Sequence, residues 1–242
     1  MERITDTALK DTIGQIVEAN SSKTAWNRMG NKAGSLNMIF AAIPRHTGKG
    51  IITVDEEAAA RLTALLPGFQ ITGWTIDRLA RVWLLMQMDP EDKTAYLSKI
   101  ENLFLAAEMN ESVALYSALP VLAWPEAWIR RCAEGIRSNI GAVLEAIMLH
   151  NPYPATWLDQ PAWNQLVLKA FFTEKNIDAI VGLDQRANQP LSSTLLDYAR
   201  ERHAASRPVD DHIWKLIGKF IDASEFATLQ QSFESRRNAQ TE

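Results

Sequence analysis

Apolar residues return every three or four positions along most of this chain. Leu9, Ile13, Ile16 and Val17 share one helical face, and Leu36, Ile39, Phe40 and Ile43 share another, which Pro44 is expected to end. Ile76, Leu79, Ala80, Trp83 and Met86 form a third stripe, with Asp77, Arg78 and Arg81 expected to turn away from it. The pattern predicts about a dozen helices of moderate length. Short loops between such helices place neighbours antiparallel. The predicted fold class is therefore all-α, with antiparallel helical hairpins stacked as an irregular, HEAT-like α-solenoid. A compact multi-helix bundle is the alternative.

The breaks support that reading. Thr53 and Glu56 have the spacing of a capping box, and Pro67-Gly68 should end the helix that follows. Pro90, Pro125 and Pro208 are read as first-turn prolines. Asn151-Pro152-Tyr153-Pro154 and Ala187-Asn188-Gln189-Pro190 read as breakers. Ile51-Ile52-Thr53-Val54 is the one strand-like run, and it reads as an extended linker. The division expected is an N-terminal helical segment over 1–32, an all-α domain over 33–222, and a C-terminal helix and tail over 223–242.

Residues 125–150 read as a single helix with too little polar surface. Ile129, Cys132, Ala133, Ile136, Ile140, Val143 and Ile147 make its stripe, while Gly135, Ser138, Gly141, Ala142 and Ala146 occupy the back. Interior glycine costs about 1 kcal/mol relative to alanine, so small residues there imply a close neighbour on the second side. Glu134, Arg137, Asn139 and Glu145 would then be partly enclosed. Buried charge must be paired and hydrogen-bonded. Two readings follow: a network in which Arg137 bridges Glu134, or the polar floor of a ligand pocket. In the next helix, Trp163, Leu166, Val167, Ala170 and Phe171 form the stripe, and Asn164 and Lys169 are its polar exceptions.

Composition narrows the chemistry. Apolar residues make up 47% and charged residues 22% of 242, which suits a folded globular chain. A formal charge of −4, with Lys and Arg scattered, offers no general attraction for nucleic acid. The single cysteine, Cys132, excludes an internal disulfide and reads as a buried hydrophobe. His46, His150, His203 and His212 show no zinc-binding spacing, so no metal or cofactor is expected. Asp210-Asp211-His212-Ile213-Trp214 lacks the further aspartate of a magnesium-diphosphate motif, and Thr47-Gly48-Lys49-Gly50 lacks the residues of a phosphate loop. No nucleophile-and-base set is visible. Trp83, Trp128, Trp163 and Trp214 fall on core stripes, whereas Trp124 and Trp157, beside helix junctions, could line a cleft. Met1-Glu2-Arg3-Ile4-Thr5-Asp6 lacks the apolar core of a signal peptide, and the apolar run over 82–88 is too short to span a membrane. A cytoplasmic protein is expected.

Several blocks resemble the EboA family: Ala133-Glu134-Gly135-Ile136-Arg137-Ser138-Asn139, His150-Asn151-Pro152-Tyr153-Pro154, Ala162-Trp163-Asn164-Gln165-Leu166-Val167-Leu168-Lys169-Ala170 and Gly182-Leu183-Asp184-Gln185-Arg186-Ala187-Asn188. Tyr198-Ala199-Arg200-Glu201-Arg202 and Ile43-Pro44-Arg45 are similar to it as well, and the likeness covers about 36–220. The resemblance implies a role in processing or exporting secondary metabolites, beside soluble pathway proteins and a membrane prenyltransferase-like protein. It carries over no catalytic residue. The polar positions inside the matching blocks, Glu134, Arg137, Asn139, Asn151, Tyr153, Asn164, Lys169, Asp184, Arg186 and Asn188, join Glu145 as candidate ligand-binding residues. The leading expectation is a non-catalytic helical adaptor or binding protein for a small apolar or prenylated molecule or a partner enzyme. One alternative is an enzyme whose Glu134 or Glu145 acts as acid or base, with Arg137 holding an anion. The other is a helical-repeat nucleic-acid binder, which the acidic balance disfavours.

Overall fold

A computed structural model of the chain describes residues 7–30, 34–224, 226–229 and 231. The N-terminal hexapeptide and most of the 223–242 tail therefore lie outside the described residues. The α-helices are α1 (Thr7–Ala19), α2 (Lys23–Gly30), α3 (Leu36–Thr47), α4 (Glu56–Leu65), α5 (Ile76–Met86), α6 (Lys93–Ala106), α7 (Met109–Ala118), α8 (Ile129–Ile136), α9 (Gly141–Met148), α10 (Tyr153–Trp157), α11 (Gln160–Phe172), α12 (Gln189–Ala204) and α13 (Asp211–Ile217). No strand occurs among the described residues; Ile51 makes one isolated antiparallel bridge to Thr75 from an extended linker. The all-α class predicted from periodicity is the class observed.

Local capping differs in detail from the sequence reading. Asp55, not Thr53, caps α4, its carboxylate accepting from the Ala58 N–H at 2.7 Å. Thr53 instead exchanges two hydrogen bonds with the Asn20 side chain. Pro90 and Pro208 lie ahead of caps supplied by Asp92 and Asp210, so only Pro125 starts a helical turn, the 3-10 turn Pro125–Trp128. The two aspartates accept from free amides of the first turn, those of Ala95 and His212.

Pro44 does not end α3; it lies inside it. Proline has no N–H, so the carbonyl four residues earlier, that of Phe40, loses its helical donor. The Nε of Arg81 fills that vacancy at 3.1 Å. This places Arg81 deep in the protein, and α5 is not the one-sided helix its stripe suggested. It packs against α1, α3 and α7, so Asp77 and Arg81 are buried at 4% and 3% exposure. Arg81 Nη1 pairs with Asp77 Oδ2 at 2.6 Å, and Glu111 lies 3.9 Å from Nη2. Arg78 stacks on the Trp74 ring at 3.8 Å and donates to Ser117 Oγ at 2.9 Å. Burial lowers its pKa to about 10, against an opposing pull from Glu145. The enclosed helix with internal charges is thus α5 rather than the 125–150 stretch.

That stretch is also not one helix. It divides into the turn Pro125–Trp128, α8 and α9, because Ser138 Oγ accepts from the Ile140 N–H at 3.0 Å and diverts the backbone. Gly135 is closely covered, since an added Cβ would lie 2.5 Å from both Ile147 Cδ1 and Tyr116 Cε1. Gly141 and Ala142, by contrast, are exposed, as are Arg137, Asn139 and Glu145. The expected second covering is thus partial: Gly135 and Ala146 are buried and Ser138 is half-buried. One continuous apolar core, from Leu9 to Ile217, joins the described helices.

Candidate functional site

The eleven candidate residues do not converge on one pocket. Three of them, Asn151, Tyr153 and Arg186, hold the short α10 in place, and two more, Asn164 and Asn188, tie α11 to the start of α12. Asn151 donates to the Ala146 and Tyr116 carbonyls and accepts from the Tyr153 N–H, which turns the chain after α9. Tyr153 reaches the Pro125 carbonyl through its hydroxyl, and burial raises the pKa of that hydroxyl. The Nη1 of Arg186 meets the carbonyls of Pro154, Ala155 and Leu158 at 3.2, 3.1 and 2.8 Å. They lie at the end of α10, where a cation is favoured; the Pro154 carbonyl also accepts from the Leu158 N–H. Desolvation lowers the Arg186 pKa, and its guanidinium lies 4.9 Å from the Trp163 ring centre. Asn164 and Asn188 exchange amide hydrogen bonds of 3.1 and 2.8 Å, while Asn188 also caps α12.

The other six are surface ties or free of contacts. Glu134 is held by Arg130 at 3.2 Å and by Arg131 at 3.0 Å, not by Arg137. Arg131 also pairs with Glu101, the contact that does most to raise its pKa. Lys169 donates to Asn139 Oδ1 at 3.1 Å. Lys175 pairs with Glu145 at 2.7 Å, and Lys219 with Asp184 at 2.6 Å. Arg137 is exposed and makes no ion pair among the described residues. The bridge from Arg137 to Glu134 is therefore absent, and Arg130 and Arg131, each about one turn before Glu134 on the same helix, replace it. Cys132 lies buried among apolar neighbours, and burial raises its thiol pKa far above neutrality. No group of three or more acidic, histidine or cysteine side chains arranged to hold a metal occurs among the described residues.

A different place has the form of a binding site. The end of α11, the second half of α12 and the segment leading into α13 enclose a cleft of about 350 Å³. Phe171, Ile177, Tyr198, Val209 and Ile213 supply its apolar walls, and Lys175, Arg202 and Asp210 its polar edge. The volume lies at the small end of the roughly 300–1,000 Å³ usual for ligand pockets. Arg202 shapes this cleft: its Nε donates to the Pro208 carbonyl at 2.6 Å and its Nη1 to the Tyr198 hydroxyl at 3.2 Å. Phe172, largely exposed, lies edge-on to Tyr198 at 4.6 Å between ring centres.

Asp210, on the polar edge, belongs to a histidine bridge. His212 Nδ1 lies 2.8 Å from Asp210 and Nε2 lies 2.8 Å from Asp178. Both ring nitrogens can donate only in the imidazolium form. The hydrogen bond to Asp178 accordingly does most to raise the His212 pKa; desolvation opposes it, and the hydrogen bond to Asp210 adds to the rise. A second cleft of about 190 Å³ is lined by this histidine and, among others, Asp178, Asp184 and Lys215. The cleft residues were missed because they come from three separate segments. Two of them, Tyr198 and Arg202, do stand in a block already noted as family-like.

The profile of the EboA family, described as metabolite traffic protein EboA, matches residues 12–218. The chain belongs to the EboA family. The EboA match begins within α1 and ends just beyond α13, so both the α10 ties and the cleft lie inside it. Searches of curated proteins and of solved structures returned no match. No helix among the described residues is long and apolar enough to cross a membrane.

Proposed function

We propose that this EboA-family protein is a non-catalytic binding and adaptor protein in secondary-metabolite processing or export, working in the cytoplasm beside other proteins of its pathway. The cleft between α11, α12 and α13 holds a small, largely apolar metabolite. The family description supports the metabolite role. The observation that carries the reading is the cleft itself: aromatic and aliphatic walls with a few polar groups at the edge, the usual make-up of a small-molecule pocket. The enzyme alternative required Glu134 and Arg137 to meet in a pocket; neither lines this cleft, and Glu134 is engaged by two arginines. A membrane prenyltransferase-like protein is the proposed partner to receive or supply the molecule.

The test uses the uncharged fluorescent probe N-phenyl-1-naphthylamine, titrated into the whole protein. One saturable site is expected. Val209→Trp, which fills the cleft, should remove it, while Ala42→Trp on the distant α3 should not. Equal probe binding by wild type and Val209→Trp would reject the cleft as the ligand site.

A further inference from the structure

The chemical class of the ligand can be narrowed, given that the cleft is the binding site. We infer that it takes an organic anion with an apolar or aromatic body, whose acidic group sits on Arg202. Two cations line the cleft, and their states differ. Lys175 already has a carboxylate partner in Glu145. Arg202 bonds only to neutral acceptors, the Pro208 carbonyl and the Tyr198 hydroxyl. No carboxylate lies within ion-pairing distance of it among the described residues, and its Nη2 donates to no protein acceptor there.

The lining carboxylates do not cancel this charge. Asp210 is committed to the His212 ring and to the cap of α13. Glu174 stands at the exposed rim, where water screens it. A half-buried guanidinium of this kind is a fork of planar donors with unused hydrogen-bonding capacity, suited to carboxylate, sulfonate or phosphate. Tyr198 and Arg202, one helical turn apart on α12, set the relative position of the two halves of such a ligand. The Arg202 guanidinium lies 5.7 Å from the Tyr198 ring centre, so an acid bound on the arginine has its apolar portion beside the aromatic wall formed with Phe171.

Two probes with the same aromatic body separate this inference from the one it rests on: N-phenyl-1-naphthylamine and its sulfonate, 8-anilinonaphthalene-1-sulfonate. Wild type should bind the sulfonate about tenfold more tightly, with the preference shrinking at high salt. Arg202→Gln should abolish the preference, read as the ratio of the two affinities, which cancels any change in cleft shape that both probes feel. Arg202→Lys should keep part of it. Equal binding of the two probes by wild type, or a preference that survives Arg202→Gln, overturns the anion assignment alone. Binding of neither probe, or binding of both that Val209→Trp leaves unchanged, overturns the cleft reading and the assignment together.

Discussion

Arg81 does two jobs, and its removal should show both. The Arg81→Met variant leaves Asp77 as an unpaired buried carboxylate and takes the donor from the Phe40 carbonyl that Pro44 left without one. Breaking a buried pair from one side costs about 3–5 kcal/mol. For a chain of this length each kcal/mol moves the melting temperature by roughly 2–4 °C, so a fall on the order of 10 °C is expected. Replacing both partners, as in Asp77→Leu with Arg81→Met, removes the stranded charge and should recover most of the loss. What remains is the unsatisfied Phe40 carbonyl, about 1–3 kcal/mol. Adding Pro44→Ala restores an N–H at the required position and should recover about 1 kcal/mol more. The assay is chemical denaturation followed by circular dichroism, with the coupling taken from the variant cycle. A cost below about 1 kcal/mol for Arg81→Met, or no extra gain from Pro44→Ala in its background, would refute the linked roles.

Gly135→Ala, whose new methyl meets Ile147 and Tyr116, should lower stability by about 1–3 kcal/mol, whereas Gly141→Ala at an exposed site should be neutral or slightly stabilising; paired melting curves decide it. The folded-state pKa of His212 is raised above 6.5, so its bridge contributes fully below that pH and fades as pH rises through the folded value. The melting-temperature gap between wild type and His212→Asn should therefore be widest near pH 6 and narrow on the alkaline side; a gap that is constant or grows would contradict the bridge. Arg186→Met removes the guanidinium donor from the Ala155 and Leu158 carbonyls, and from that of Pro154, which keeps the Leu158 N–H; it should cost about 1–3 kcal/mol, with faster amide exchange confined at first to 152–158.

Much of the fold was legible because periodicity reports which side of a helix is apolar. It does not report how many neighbours a helix has. The stripe on α5 was read correctly, yet Asp77 and Arg81 were placed outside, because only the tertiary arrangement surrounds α5 with α1, α3 and α7. Pro44 was read as a stop for a related reason: its remedy, Arg81, is 37 positions away in sequence. Small residues were a sound signal at Gly135. They misled at Gly141 and Ala142, where the chain had already left the helix at Ser138. Asn151, Tyr153 and Arg186 were singled out by resemblance, and the structure makes them the fasteners of α10, a structural role that a ligand-site reading does not require. The cleft could not be read from pattern, since Phe171, Arg202 and Ile213 meet only through the packing of α11, α12 and α13.

The central claim concerns where a small molecule sits, and hydrogen–deuterium exchange with and without 8-anilinonaphthalene-1-sulfonate locates it without any mutation. Protection confined to the end of α11, the second half of α12 and residues 205–213 is the predicted result. Protection centred on α3 or α8, or none at saturating probe, would contradict it.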